Sequence, residues 1–278
     1  MRWQDIVKKG MLWMSPPVLY RYILFRHVRT WDKRHIPNEE AELLLLPYIL
    51  DPDSVCVDIG AHIGLYTYAA SNVVGQKNIF AIEPNPSAAK QLQRAFPKVH
   101  LHELALSDVQ GEIPFKIPKL NGILYPTRGK LNITWLEPNE TSAIIYTVPV
   151  NTLDTFVQEQ NIRKLDFIKI DVEGNEAAVL RGGMNCIRAC RPVILAEIEQ
   201  RHHHFPVSEI FDLLLKEGYV SFYFDTEKLE LVVIPEDISR IQDPANMRTA
   251  KYYHNFFFLP VEKVDMGLPE KINSAMHT

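Results

Sequence analysis

Three acidic residues crowd the end of a predicted buried strand. Residues 167–183 read FIKIDVEGNEAAVLRGG, where FIKI has the apolar character of a parallel strand and Asp171, Glu173 and Glu176 follow closely. An unpaired charge inside a fold costs several kcal/mol, roughly, so Lys169 in the middle of this strand requires a partner. Side chains alternate along a strand, so Lys169 and Asp171 share a face, and their pairing would keep Asp171 ionised. Glu176 suits the positive N-terminal end of the following helix.

A carboxylate at such a strand end can take the proton of a hydroxyl group or orient that group. Asp171 is our first candidate for this general base, and Glu173 is the second. The next predicted strand ends in AEIEQRHHH, so His202 in the histidine run is an alternative base. Asp171 with Glu197 or Glu199 could instead hold Mg²⁺. The interpretation that we favour includes no metal.

A second group of residues that could do chemistry follows an earlier strand. The segment VDIGAHIGLYT (57–67) places Asp58 at a strand end, Gly60 and Gly64 in the turn, and a helix start near Leu65. Glycines permit positive φ and a close approach of the backbone to a ligand, and free N–H groups at the helix start would face that ligand. The loop is typical of a nucleotide cofactor. It lacks the G-x-G-x-x-G pattern, which disfavours NAD(P).

The acidic strand ends favour an adenosine cofactor with a cationic part. Asp58 suits a cationic group such as the amino-acid end of S-adenosylmethionine. Glu83 closes the next strand, IFAIEP, and an acid at that place suits the two ribose hydroxyls of an adenosine.

The elements that must position these residues alternate between strand and helix. Short apolar runs are followed by segments with helical spacing, which predicts a mainly parallel sheet with helices on both faces. The last two predicted strands, YVSFYFD (219–225) and YYHNFFFLP (252–260), have no helix between them and suggest an antiparallel β-hairpin at the sheet edge. The predicted core strands are SVCVDIG (54–60), NIFAIEP (78–84), VHLHELAL (99–106), LDFIKIDV (165–172) and RPVILAEI (191–198).

Residues 111–150 interrupt this alternation. The segment is rich in Pro, Asn and Thr and lies between the third and fourth predicted strands. Insertions at the carboxyl edge of an open α/β sheet commonly form a wall that faces the substrate, and we predict that role here. We therefore divide the chain into a basic and aromatic helical N-terminal extension, residues 1–38, and a catalytic domain, residues 39–278.

Charge is distributed unevenly along the 278 residues. Residues 1–36 carry eight Lys and Arg against two acids, a charge of +6, so the remainder carries −10. This arm could contact a membrane surface or another anionic surface. Its apolar runs fall short of the roughly 18 to 20 residues that a membrane span needs, and three cysteines without a C-x-x-C pair fit a reducing compartment. We expect a cytoplasmic protein, and its oligomeric state stays open.

The motifs together resemble one family. The order and spacing of the FkbM-type branch of class I S-adenosylmethionine-dependent methyltransferases are matched by VDIGAHIGLYTYAAS, IFAIEPNPSAAKQL, ELALSDVQGEIPF, VPVNTLDTF, LDFIKIDVEGNEAAVLRGG and RPVILAEIE. The resemblance covers about residues 39–200, and NFFFLP fits the last strand of the family. It implies a Rossmann-like, doubly wound α/β fold with seven strands, mainly parallel, and an antiparallel last strand. It also implies methyl transfer to a hydroxyl oxygen of a sugar or secondary metabolite.

The same resemblance implies roles for the glycine loop. Asp58, Gly60 and Gly64 would line the methionine end of S-adenosylmethionine, and Thr67 would donate to its carboxylate. His62 stands where the family commonly has Asn. We include His62 among the residues predicted to contact the cofactor.

Two further contacts follow from the resemblance. Glu83 would hold the ribose, and Ser107 and Asp108 would lie near the adenine, where an acid can accept from the exocyclic amine. The segment after Asp108 also reads as an ordinary turn.

The favoured function is O-methylation of a small-molecule or glycan acceptor. An NAD(P)-dependent oxidoreductase, a methyltransferase acting on RNA or protein, and a binding module without catalysis remain alternatives. The turn after the fourth predicted strand is Asp171-Val172-Glu173-Gly174 rather than the Asn/Asp-Pro-Pro-aromatic turn usual for amino methylation of DNA bases. Nucleic acid is therefore a disfavoured substrate, although the basic arm keeps RNA open.

Overall fold

The computed structural model describes residues 40–234, 238, 241–243 and 252–277. The predicted N-terminal extension, and with it the proposed contact to an anionic surface, lies outside the described residues. The helices and strands are α1 Leu46–Ile49, β1 Cys56–Ile59, α2 Leu65–Val74, β2 Ile79–Ile82, α3 Pro86–Ala95, β3 His100–His102, β4 Ala105–Ser107, β5 Gly111–Leu120, β6 Ile123–Leu124, β7 Glu140–Thr152, α4 Leu153–Glu159, β8 Phe167–Ile170, α5 Glu176–Gly182, α6 Met184–Cys190, β9 Val193–Glu197, α7 Ser208–Leu215, β10 Tyr219–Asp225, β11 Glu230–Val233, β12 Asn255–Pro260, α8 Val261–Asp265 and α9 Leu268–Met276.

The main sheet has eight strands within the described residues, in the order β11-β10-β12-β9-β8-β1-β2-β3. In this sheet the neighbouring strands β9, β8, β1, β2 and β3 pair in parallel. In contrast, β12 runs antiparallel to both β9 and β10. The α/β class and the mainly parallel sheet agree with the prediction. The expected count of seven is wrong, because Glu230–Val233 adds an antiparallel strand outside β10. The edge hairpin is therefore β10–β11, and β12 lies inside the sheet.

The predicted third strand divides between two sheets. His100–His102 pairs with β2 at the edge of the main sheet, whereas Ala105–Ser107 pairs with β7. A second sheet has the order β4-β7-β5-β6, built mainly from the long antiparallel pair β5–β7. The insertion predicted at residues 111–150 thus forms its own sheet, connected to the main sheet by β4.

Two apolar clusters cover the two faces of the main sheet. Cys56 and Phe167 belong to the first cluster, and their neighbours Val57 and Ile168 belong to the second. Because side chains alternate along a strand, the residues two positions after Cys56 and Phe167 also face the first cluster. The alternation of apolar residues therefore decides which face each side chain occupies, and it places Asp58 and Lys169 on the face of the first cluster.

The charged positions of β1 and β8 are adjacent. The parallel register places Asp58 opposite Lys169, and both side chains face α2. The Tyr66 ring of that helix lies 4.7 Å from the Lys169 ammonium. Two opposite charges are thus buried together under one helix.

The chain continues beyond the last predicted strand with two helices that the sequence reading omitted. The α9 segment carries a proline in its first turn, and its buried Ile272 joins the first apolar cluster. Across the described part of the chain, every helix is too short or too polar to cross a lipid bilayer.

Candidate active site

A cavity of about 370 Å³ opens at the carboxyl ends of β1, β2 and β8. This is the edge where open α/β sheets bind ligands. Residues predicted from three separate strands meet in its lining, namely Asp58, Gly60, His62, Glu83, Asp171 and Glu173. The sequence-based expectation that these strand ends converge is therefore matched by one shared cavity.

The two glycines of the first loop are required by protein contacts. Gly60 has φ +79°, and a Cβ there would lie 1.8 Å from the carbonyl oxygen of Asp171. Gly64 has φ +91°, and a Cβ there would lie 2.7 Å from the Phe96 ring. Gly60 nevertheless lines the cavity at the place where the sequence predicts a ligand, and it also lets two strand-end loops touch. Gly64 lies outside the cavity lining and packs on Phe96 and Leu92.

Asp58 is buried and held by a neighbour on α2. The Thr67 hydroxyl donates a 2.6 Å hydrogen bond to its carboxylate. Burial raises the pKa of Asp58 to about 6, against the opposing effects of that hydrogen bond and of Lys169. Thr67 is fully buried, so it orients Asp58 in this structure rather than presenting its hydroxyl to the cavity.

Glu83 lies in a socket of backbone donors. The N–H groups of His62 and Asn85 each donate to one of its carboxylate oxygens at 2.7 Å. Burial nevertheless raises the pKa of Glu83 to about 7. Burial also lowers the pKa of His62 to about 4, so the imidazole is neutral at pH 7. His62 has φ +47°, and this turn points its N–H at Glu83.

The two residues predicted to lie near an adenine ring are outside the cavity lining. Asp108 forms an ion pair with Arg181 at 2.8 Å, and the Ser107 hydroxyl lies 3.4 Å from the Asp108 carboxylate. The carbonyl of Ser107 approaches Gly182, where a Cβ would come within 2.1 Å. The pair therefore joins β4 to α5. The neighbouring residues 104–106 line the cavity in its place.

The buried lysine of β8 has several partners. The Lys169 ammonium donates to the side-chain oxygen of Asn255 at 3.0 Å and lies 3.8 Å from the Asp171 carboxylate. Burial by itself would lower the pKa of Lys169, but the surrounding carboxylates, led by Asp171 and Glu197, raise it above the ordinary value. The predicted pairing of Lys169 with Asp171 is thus present. Asn255, on β12, is a partner that the sequence did not reveal.

Glu173 forms a second buried pair, with His202. Its backbone has φ +53°, and its carboxylate lies 3.3 Å from His202 Nε2. Burial, reinforced by the charge of Asp171, raises the pKa of Glu173 to about 8. Burial lowers the pKa of His202 to about 3. His202 contacts Glu173 but is outside the cavity lining, so it does not face the cavity as the predicted alternative base would.

Glu176 lies in the first turn of the helix that follows, the position that the sequence predicts for it, although its carboxylate binds the backbone just before the helix. Its carboxylate accepts from the Gly174 N–H at 2.9 Å, and His203 Nε2 lies 3.0 Å from its second oxygen. These contacts hold the start of α5 against the histidine loop.

The carboxylates considered for Mg²⁺ differ in their surroundings. Glu197 lines the cavity, and burial raises its pKa well above the ordinary value. The Glu199 carboxylate instead accepts hydrogen bonds from Nε and Nη2 of Arg201, at 2.5 and 2.6 Å. Within the described residues, no group of three or more His, Cys, Asp or Glu side chains is arranged to hold a metal ion.

The insertion supplies a second part of the cavity lining, and this part is basic. Tyr125, Arg128 and Lys130 line it. Lys130 is 2% exposed and forms a buried ion pair with Glu137, which also pairs with Arg128 at 3.1 Å. The sequence reading assigned the wall but not these residues. The sequence feature that points to them is YPTRGK, a turn with a proline, a glycine and two cations inside the insertion.

Comparison with known proteins places the chain among methyltransferases. The family described as "Methyltransferase FkbM domain" matches residues 58–221. The protein named hexuronic acid methyltransferase AglP, from Haloferax volcanii, is 30% identical over 169 residues, 59% of this chain and 64% of the relative. The chain thus spans less than two thirds of that relative. The 2-O-methyltransferase NoeI from Sinorhizobium fredii is 25% identical over 174 residues, 59% of this chain and 72% of the relative.

Among solved structures, an FkbM methyltransferase from Methylobacillus flagellatus aligns with a TM-score of 0.48 and 14% identity. The alignment covers 75% of this chain and 44% of that one.

Proposed function

Because the chain belongs to the FkbM methyltransferase family, we propose that it transfers a methyl group from S-adenosylmethionine to a hydroxyl oxygen of a sugar or glycan. The names of two relatives, a hexuronic acid methyltransferase and a 2-O-methyltransferase, support this acceptor class. The observation that carries the proposal is the meeting of Glu83 and Asp171 in one cavity. The first suits a ribose, and the second suits an acceptor hydroxyl.

The residues present fit S-adenosylmethionine. Glu83 has two backbone donors that fix its carboxylate, which leaves lone pairs for the ribose hydroxyls. Asp58 and Asp171 give the cavity the negative charge that a sulfonium and an ammonium group require. The cavity of about 370 Å³ is in the range of ligand sites. When bound, the cofactor supplies an electrophilic methyl group on sulfur.

Asp171 is the carboxylate that we assign as general base. Glu173, with a pKa of about 8, is mostly protonated at pH 7 and is a poor acceptor of a proton there. Asp171 lines the cavity with its side chain 32% exposed. Proton removal by a positioned base contributes on the order of 10² to 10⁴ in rate. Lys169 and His202 then act as positioning residues, the first on Asp171 and the second on Glu173.

We further propose residues 39–278 as the methyltransferase domain, with residues 111–150 as the wall that faces the acceptor. The mechanism requires no metal, because methyl transfer needs alignment and proton removal. Residues 1–36 keep their proposed contact with an anionic surface.

The proposal is tested with the full-length protein. S-adenosylmethionine and NADH are titrated calorimetrically, and we expect binding of the first only. The protein is then incubated with a panel of neutral and acidic sugars and polyketide alcohols, with and without EDTA, and release of S-adenosylhomocysteine is measured. Binding of NADH without binding of S-adenosylmethionine at millimolar concentration contradicts the proposal. Turnover that EDTA abolishes and Mg²⁺ restores favours the metal alternative.

A further inference from the structure

The cavity has two walls of opposite charge. The strand side carries the carboxylates described above, whereas the insertion side carries Arg128 and Lys130. In the described part of the chain, the ion pairs of both cations go to the same carboxylate, Glu137. One carboxylate cannot neutralise two cations. The insertion wall therefore has an excess positive charge that faces the cavity.

The two cations have different surroundings. Lys130 is buried against Glu137, so its charge is largely compensated there. The Arg128 side chain keeps 34% of its surface exposed and touches Glu137 through one nitrogen, Nη1. A guanidinium has five donors in a planar fork, so Arg128 retains donors for a second anion.

The backbone that carries these cations is fixed. Lys116 and Lys130 exchange two backbone hydrogen bonds of 2.9 Å, which attach the turn to β5. Gly129 packs closely against the Phe115 ring, because a Cβ there would come within 2.3 Å of it. The cations are therefore held in place rather than carried on a free loop tip, which favours a preorganised binding site.

An aromatic ring lies beside the excess charge. The Arg128 guanidinium carbon lies 5.7 Å from the centre of the Tyr125 ring, and both residues line the cavity. A tyrosine side chain has an apolar ring face and a polar hydroxyl group. It therefore suits a sugar ring, which has an apolar face and carries hydroxyl groups. The combination of such a ring and a guanidinium suits a sugar that bears an anionic group.

We propose that Tyr125, Arg128 and Lys130 form a subsite for an anionic oxygen group, a carboxylate or a phosphate, on the sugar acceptor. We call it the Arg128 subsite. The inference rests on the proposed sugar acceptor. It assigns to Arg128 the recognition of the charged group, to Lys130 a supporting charge, and to Tyr125 the contact with the sugar ring. The acceptor hydroxyl is thereby left free for Asp171, which lines the same cavity.

The test compares sugars that differ only in charge. Binding of glucose, glucuronate and glucose 6-phosphate to the full-length protein is measured by ligand-observed NMR, with and without S-adenosylhomocysteine. We expect both charged sugars to bind about tenfold more tightly than glucose, the size of effect typical of a hydrogen bond to a charged group. The tighter of the two identifies the anionic group.

Variants locate the effect. Arg128→Gln is expected to lower the affinity for the charged sugars to that for glucose and to leave the affinity for S-adenosylhomocysteine unchanged. Arg128→Lys, which keeps the charge but loses the fork, should retain an intermediate preference. Arg188→Gln is the matched control, because Arg188 is an ion-paired arginine on α6, bound to Glu217 and outside the cavity.

Several results overturn the subsite. Equal affinities of the wild type for glucose and the charged sugars do so, as does failure of the charged sugars to bind. The subsite is also overturned if Arg128→Gln still prefers the charged sugars to glucose. It is likewise overturned if Arg128→Gln loses affinity for S-adenosylhomocysteine at the same time, because Arg128 would then contact the cofactor. If S-adenosylhomocysteine does not bind the wild type, the proposed function fails, whereas the comparison of charged sugars with glucose still decides the subsite.

Discussion

The ammonium of Lys169 lies 3.0 Å from the side-chain oxygen of Asn255, a residue 86 positions later in the chain. The two residues lie on β8 and β12, which are both neighbours of β9, so their contact spans the strand between them. The same amide contacts Glu42 at 3.4 Å. The buried charge of β8 thus connects the last strand and the start of the described chain to the candidate base, Asp171.

Removal of this buried cation should destabilise the fold. Lys169→Met leaves the buried carboxylates around it without their counter-charge, so we expect a loss of about 3 to 5 kcal/mol in the free energy of unfolding. Urea denaturation followed by circular dichroism measures it. Lys90→Met, at an exposed position on α3, is the control and should change little. Equal stability of the two variants would show that Lys169 is not required to balance these carboxylates.

Replacement of the candidate base should affect turnover more than binding. Asp171→Asn keeps the shape but removes proton acceptance, so we expect kcat to fall by about 10² or more. Affinity for S-adenosylhomocysteine, measured by calorimetry, should be retained. Asp212→Asn, at an exposed site on α7, is the control. Full turnover in Asp171→Asn with a verified acceptor would disprove the assignment.

Cofactor affinity should depend on pH through Glu83. Its pKa of about 7 means that the carboxylate becomes ionised between pH 6 and 8. Ribose hydroxyls donate best to the ionised form, so affinity for S-adenosylhomocysteine should rise about tenfold over this range. Glu83→Gln should bind weakly and without this rise. Glu112→Gln, at an exposed position on β5, should behave as the wild type. A flat profile in the wild type would exclude Glu83 as the titrating contact.

Stability should depend on pH through Glu173. The folded protein raises the pKa of this carboxyl from 4.5 to about 8, so its protonated form is favoured in the fold. That contribution to stability is complete below the unfolded pKa and is lost as pH rises towards 8. Glu173→Gln lacks this loss, so its free energy of unfolding relative to the wild type should increase by on the order of 1 kcal/mol for each pH unit as pH rises between these limits.

Its partner does not obscure this measurement. His202, with a pKa of about 3, stays neutral in the folded protein across the window, and its titration in the unfolded chain is common to the wild type and Glu173→Gln and cancels in their difference. Urea denaturation of Glu173→Gln, the wild type and the exposed control Glu112→Gln at three pH values gives the slopes. A constant difference between Glu173→Gln and the wild type would contradict the raised pKa.

The contact between two strand-end loops should be sensitive to one added carbon. Gly60→Ala places a Cβ 1.8 Å from the Asp171 carbonyl oxygen, whereas Gly75→Ala, at a similar φ of +74°, meets nothing within 4 Å. Both variants carry the cost of positive φ, about 1 to 2 kcal/mol. Gly60→Ala should lose clearly more stability than Gly75→Ala. It should also lose turnover, because the loop that carries Asp171 must move. Thermal unfolding compares the pair, and equal losses would argue against the contact.

The local pattern predicted the alternating elements well. The buried runs of β1, β2, β8 and β9 are mainly apolar, with one charged residue each in β1, β8 and β9, and each strand ends near the expected residue because a turn residue or a charge follows. The third strand was harder to predict. VHLHELAL reads as one strand, yet its two halves pair with different sheets, and partner choice depends on contacts that are distant in sequence. The count of seven strands is wrong for a different reason, because Glu230–Val233 adds an antiparallel strand outside β10.

By itself, the sequence determined which residues stand at strand ends, since a period of two and a terminating glycine or acid are local properties. These strand-end residues include Asp58, Glu83, Asp171 and Glu173. Only the tertiary structure decided what each one does. It assigned Thr67 to Asp58, His202 to Glu173 and Asn255 to Lys169, and it placed Arg128 in the lining of the same cavity as Asp171. The protonation of buried groups and the closeness of loops depend on packing between segments far apart in the chain, which no local pattern encodes.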